Sequence, residues 1–391
     1  MKRLIYPATR AVEHATELPG VRPIRLFPVL WPLWQVETSA EVYDRQDFEV
    51  IDHFVMRTIG ECGIHDRAEL TAFLNLPSGL VDRCLAFLAT IQQVTLSGTT
   101  VDLAPLGARS LSDGVRYVPT TSRLTILIER QLGRPFPRQH YDGNVTVLDT
   151  TEIEDGQLAD RSRFLSVFTT AQYRPEVLQW LEQHPDRAKF NLPSQLRNLR
   201  EEGHRDGYLP CYLIETADHE ILAYTNVAEE RDAFLEQVCI ETAIEHLIEA
   251  KRIRRPQEVW KEWLAESKTY GAGQLKETTD GWQVVLDPGA FGKPPKIPPT
   301  RIGSYQFRDN HFIQVWSADP AARRQALIER SLGIATLPDI TSMPHLETRI
   351  RDLAAKLRIP AASVDDLRAH ARRTGDDRRL NHLATLAEKG T

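Results

Sequence analysis

Two clusters in the 391-residue chain set a histidine beside carboxylates: His204-Arg205-Asp206 and Asp218-His219-Glu220. An imidazole next to a carboxylate can move a proton or share a metal ion, so acid–base or metal-dependent hydrolysis would be built from His204, Asp206, His219 and Glu220. Both triplets flank a predicted strand and are expected at turns, where polar residues occur for backbone reasons alone, so they also read as ordinary loop chemistry. Glu249-Ala250-Lys251 matches the tail of a nuclease-type carboxylate-x-Lys element. It falls at the end of a helical pattern rather than on a strand beside another carboxylate, and is set aside. No phosphate-binding GxxxxGK loop, GxGxxG, GxSxG or HExxH motif occurs, which leaves nucleotide hydrolysis, dinucleotide cofactors and the familiar hydrolases without support. No cofactor and no metal are expected.

The second available chemistry is phosphate contact by arginine. Net charge is -6, so no global attraction to nucleic acid or an acidic membrane follows. Residues 301–391 nevertheless carry 15 Lys plus Arg against 11 Asp plus Glu, a balance of +4. Within them, Leu353 to Ile359 and Ser363 to Arg373 resemble a helix-turn-helix, with Ser363 and Asp366 as a capping pair. Arg368, Arg372, Arg373, Arg378 and Arg379 then lie where a phosphate backbone would want them, unless they pair with Asp365, Asp366, Asp376 and Asp377. A further run, Lys251-Arg252-Ile253-Arg254-Arg255, closes a predicted helix, where cations complement the helix dipole without any ligand.

The elements that must position these residues start with an apolar strip, Ile24 to Val36, broken by Pro28 and Pro32. Proline cannot donate to a ladder, so this strip is expected to be an extended edge segment within an extended apolar N-terminal segment over residues 1–47. It either packs on a neighbouring domain or, from Leu26 to Trp34, offers a docking strip. Residues 121–160 read as a connector ending in acidic residues, Asp149 to Asp160, and 161–286 as a central α+β domain with a long helix from Arg231 to Arg252. Hairpins are expected at Asp280-Gly281 and Asp309-Asn310. The proline-rich stretch 287–300 reads equally as a domain linker or a surface loop, and 300–391 as a hairpin plus helices. Four cysteines, Cys62, Cys84, Cys211 and Cys239, form no CxxC pair, and no run of about 18 apolar residues occurs, which points to a reducing cytoplasm. Arginine well in excess of lysine suggests a GC-rich bacterial source.

Residues 48–120 have the richest pattern. Ile51, Phe54, Val55 and Ile59 recur at helical spacing; Asp66 and Glu69 open a second helix bearing Leu70, Phe73 and Leu74; Pro77-Ser78 opens a third bearing Val81, Cys84, Leu85 and Leu88. Val94-Thr95-Leu96 and Thr99-Thr100-Val101 then flank the turn signal Ser97-Gly98. This order of helix, helix, helix, hairpin resembles the winged helix-turn-helix superfamily over residues 48 to 111. The resemblance implies DNA binding or, as in its assembly modules, protein docking. The outward positions of the third helix, Ser78, Gly79, Asp82, Arg83 and Ala86, balance in charge, with Arg83 the cation for a nucleic acid.

The expected fold is thus α+β and multidomain: an N-terminal winged helix, a central mixed α/β domain and a helical basic C-terminus. The expected function is that of a non-catalytic, DNA-associated regulator or accessory subunit of a nucleic-acid-processing or defence assembly. The alternatives are a protein-interaction scaffold or homodimer that assembles through the winged helix, and a metal-dependent nuclease or hydrolase. A membrane partner is not expected.

Overall fold

The computed structural model describes residues 6–142, 145–149, 164–167, 169–227, 231–244, 254–338 and 340–388. Its mixed content, 42% helical and 28% strand, fits an α+β class. A helix, α1 (Ala8–Glu17), precedes a 24-residue strand, β1 (Pro23–Gln46). The chain then leaves for α2 (Val50–Cys62), α3 (Arg67–Leu74), α4 (Ser78–Thr90), the hairpin of β2 (Val94–Ser97) and β3 (Thr100–Leu103), and α5 (Pro105–Asp113). It returns as β4 (Arg116–Glu129), antiparallel to β1 from Gln46↔Arg116 to Leu33↔Glu129. Residues 48–115 are therefore inserted at the tip of a long β-ribbon. Local chemistry accounts for their breaks. Asp66 accepts the N–H groups of Ala68 and Glu69 to cap α3, and left-handed Gly63 and Asn75 end α2 and α3. Val55, Ile59, Leu70, Val81, Leu85 and Leu88 form the shared core.

On its other side β1 pairs with β6 (Leu196–Thr216), and β7 (Ile221–Tyr224) lies outside β6, giving the order β4-β1-β6-β7; two residues, β5 (Leu165–Ser166), add parallel to Val29 and Leu30. The proline-bearing strip is thus central in its sheet, and its expected place at an edge is corrected. The reason lies in strand parity. Leu26 donates its N–H to Asn310 O, and Pro32 O accepts from Arg130 N–H, both away from β6. With no register shift between Leu26 and Glu37, Pro28 and Pro32 turn their missing donors to that same side, beyond the end of β4. The strand is edge-like on one side only, which is where proline is tolerated.

Both faces of β1 are covered. Phe27, Val29, Trp31 and Leu33 lie under α7 (Ala233–Thr242), and Trp34 and Val36 under α6 (Glu176–Gln183). The seven apolar residues from Leu26 to Trp34 are no more than 4% exposed, so the docking-strip reading is overturned by burial. The expected boundaries at 47/48, 120/121 and 160/161 divide strands that share this one sheet.

The C-terminal half begins with α8 (Pro256–Glu266) and builds a second sheet from β8 (Gln274–Thr278), β9 (Gly281–Val285), β10 (Tyr305–Arg308) and β11 (His311–Trp316), ordered β10-β11-β9-β8. Asp309 and Asn310 both take positive φ in a two-residue turn, as the sequence requires. Residues 287–300 loop out of this sheet, with Phe291 and Ile297 bridged to each other and buried in its core. The sheet packs on α9 (Pro320–Ile334), α10 (Met343–Lys356), α11 (Val364–Thr374) and α12 (Asp377–Glu388), around Trp260, Ile313, Val315, Leu327, Ile350 and Leu367. Helix α1 joins the two halves, packing against Tyr224 of the first sheet and Phe312 of the second.

The helix expected from Arg231 to Arg252 ends at Thr242, because Ala243 turns left-handed at φ 48 and donates back to Cys239 and Ile240. Residues 245–253, with most of the basic run and Glu249-Ala250-Lys251, lie outside the described residues, as do 150–160 of the acidic cluster. Among the described residues no single helix is long and apolar enough to cross a membrane.

Candidate functional site

The His–carboxylate clusters do not converge. His204 and Asp206 sit on one face of β6, opposite Val36 and Trp34. His204 Nδ1 lies 2.7 Å from Glu201 Oε1 with its ring packed on Tyr173 at 4.5 Å, while Asp206 pairs with Arg130 at 3.0 Å. His219 and Glu220 occupy the turn beyond the far end of the same strand, and His219 is 77% exposed, 3.4 Å from Glu215. At about 3.3 Å per residue the two clusters are roughly 30 Å or more apart. No group of three residues able to hold a metal occurs among the described residues. This geometry removes the support for a hydrolase built from all four.

A buried pair that sequence reading missed is His140 with Asp232. His140 Nε2 lies 2.8 Å from Asp232 Oδ2, Thr225 Oγ1 donates to the same oxygen at 2.8 Å, and the two side chains are 0% and 1% exposed. Asp232 also caps α7, and Phe136 and Phe234 pack on the imidazole. Shut off from solvent, the pair fixes structure rather than meeting a substrate.

The arginines separate by environment. Arg83 donates Nε–H to Gly79 O of its own helix at 3.2 Å. Residues 50–113 contain four Arg, no Lys and seven Asp or Glu, a balance of -3. Arg57, Arg67 and Arg109 are paired there with Glu61, Asp82 and Asp113. In the C-terminal helices the Ser363–Asp366 capping box is present, Arg368 pairs with Asp365 at 3.0 Å, Arg379 with Asp376 at 3.2 Å, and Arg373 meets His370 Nδ1 at 3.0 Å. Arg372 and Arg378 are exposed and have no ion-pair partner among the described residues.

A cleft of 1090 Å³ opens between the end of β4, the 171–174 segment and α6. Trp34, Tyr173, Trp180 and Phe190 line it, with Arg130, Arg134 and Arg174 at its margins. The Arg130 guanidinium lies 5.1 Å over Trp34, which meets Tyr173 edge-on at 5.5 Å. A buried carboxylate shapes the rim: Glu129, 0% exposed, accepts the N–H groups of Gln131, Leu132 and Arg134 at 2.8, 2.7 and 3.2 Å. Burial pushes its carboxyl above the usual range, against the pull of those N–H groups. Asp206 does not line the cleft and meets it only through its ion pair with Arg130. Trp34, Arg130 and Tyr173 come from three distant segments, and no local spacing announces them.

No protein-family model, curated protein or solved structure matches this chain.

Proposed function

We propose that the chain is a non-catalytic assembly subunit in which residues 50–113 act as a winged helix that docks protein. One observation carries this reading. Six of the eleven exposed large apolar side chains among the described residues, Val50, Ile51, Phe54, Phe73, Phe87 and Leu96, belong to this sixth of the chain. Exposed apolar surface at that density favours a protein partner, and an acidic balance with its arginines already engaged disfavours a phosphate backbone. A second copy of the chain is the simplest partner, since twofold pairing uses one surface twice. Four cysteines in no disulfide, three of them buried, suit a reducing cytoplasm. Sedimentation of the wild type against Phe54→Glu and Phe87→Glu tests the reading. A salt-insensitive dimer that the substitutions dissociate supports it; a wild-type monomer at every concentration removes self-assembly.

A second reading keeps the chain DNA-associated, as a regulator or accessory subunit of a nucleic-acid-processing or defence assembly. Unpaired Arg372 and Arg378, with Arg368, Arg373 and Arg379 beside them, favour it. Fluorescence polarisation with duplex and single-stranded DNA over a salt series, beside an Arg372→Ala/Arg378→Ala variant, tests this surface. Its contribution is the part of the log–log salt slope lost in the variant, up to about two phosphate contacts. An unchanged slope would mean that these arginines touch no phosphate.

A further inference from the structure

The cleft beside α6 is separate from both surfaces above, and we propose that it binds a nucleoside monophosphate, either free or as the 5′-phosphorylated end of a nucleic-acid strand. Its volume of 1090 Å³ accommodates a ligand of that size. Stacking surface comes from Tyr173, Trp180 and Phe190, with Trp180 47% exposed at the mouth.

Phosphate contacts come from two guanidinium groups. Arg174 is exposed and has no ion-pair partner among the described residues. Arg134 holds Glu241 in a two-bond pair at 2.8 and 2.6 Å, with the side chains 43% and 33% exposed, and reaches a phosphate by exchanging that carboxylate for it. Glu129 holds the backbone of the rim loop, so the stem of Arg134 is already placed and only its guanidinium changes partner. Arg130 plays another part. At 18% exposure, neutralised by Asp206 and stacked on Trp34, it fixes the aromatic floor.

Charge sets the ligand class. Asp206 and Glu241 already match Arg130 and Arg134, and Glu176 stands at the rim, so a single phosphate, met by Arg174 and by Arg134 on exchange, is the most the cations can hold, and a triphosphate is disfavoured. A single phosphate on a flat ring matches both the guanidinium pair and the aromatic wall.

Titration of the full chain, followed by tryptophan fluorescence and calorimetry, tests the site with four probes: AMP, adenosine, inorganic phosphate and a short 5′-phosphorylated oligothymidylate. AMP is expected to bind more tightly than adenosine or phosphate, and Arg174→Ala and Trp180→Ala each to raise its Kd at least about tenfold. Both side chains are exposed, and circular dichroism checks that the fold is retained. Arg378→Ala, on the C-terminal helices, is expected to leave AMP binding unchanged, which separates this site from the DNA-associated surface. Binding of the oligonucleotide but not of AMP, with the same sensitivity to both substitutions, assigns the ligand to a strand end. Failure of AMP and oligonucleotide alike to bind below about 1 mM, or binding indifferent to both substitutions, would overturn the proposal.

Discussion

Buried His311 makes the fold sensitive to mild acid. Its side chain sits in β11 at 2% exposure, with Nε2 2.9 Å from Arg254 O. Burial, and secondarily the Arg25 guanidinium, hold the imidazole below its usual range, while the bond to Arg254 O and nearby Asp309 pull the other way. The unfolded chain takes up this proton near pH 6.5, a value set by the free side chain, and the folded chain only at lower pH. Between those values the unfolded state binds more protons, so stability falls as pH drops below about 6.5. Urea unfolding of the wild type and His311→Gln from neutral pH to pH 5 checks this: the wild type is expected to lose more stability over that range, and parallel losses would sink the assignment. Asp232 gives a larger effect. Asp232→Ala removes the α7 cap and strands His140 and Thr225 without their acceptor, at an expected loss of about 2–4 kcal/mol in urea unfolding. A loss below about 1 kcal/mol would show that water replaces the carboxylate.

Two helical glycines are expected to respond to alanine with opposite signs. A Cβ on Gly107 in α5 would lie 1.9 Å from the backbone oxygen of Gln93, which already accepts from Ala104 N–H. Backbone cannot swing aside as a side chain does, so Gly107→Ala should destabilise by about 1–3 kcal/mol despite alanine's helix propensity. A Cβ on Gly79 in α4 meets nothing within 4 Å, so Gly79→Ala should stabilise by roughly 0.5 kcal/mol. Urea midpoints of the two variants decide, and a shift in the same direction would contradict the packing argument. At this scale the sequence is legible where local chemistry decides. Asp66, Ser78, Ser363 and Asp309-Asn310 mark their helix starts and turn within a residue. The long strands are not legible in the same way. Arg200 to Asp206 has no apolar alternation, and its extended form comes from pairing with β1, a partner more than 150 positions earlier. The cleft was hidden for the same reason: Asp206 could be picked out beside a histidine, whereas Trp34 and Arg130 acquire a role only once β1, β4 and β6 are side by side.

The sheet decides which pieces of the molecule can stand alone. Gln46 and Arg116 are register partners, so the ribbon can be closed across them by an Asn-Gly turn in place of residues 47–115. The cores on both faces of the sheet contain no residue from that insertion, whereas the insertion has its own core from Val55 to Val101. The shortened chain is therefore expected to fold and unfold cooperatively, with Arg116 exposed once its buried partner Asp52 is gone. Residues 161–286 alone should behave differently. They retain β6 and β7 but lose β1, and with it Phe27, Val29, Trp31 and Leu33 from one core and Trp34 and Val36 from the other. Removing those side chains exposes far more apolar surface than a domain of marginal stability can tolerate. Circular dichroism and urea titration of the two fragments supply the comparison. A cooperative transition in the 161–286 fragment would show that β1 is dispensable, and the boundary at 160/161 would then be a true one.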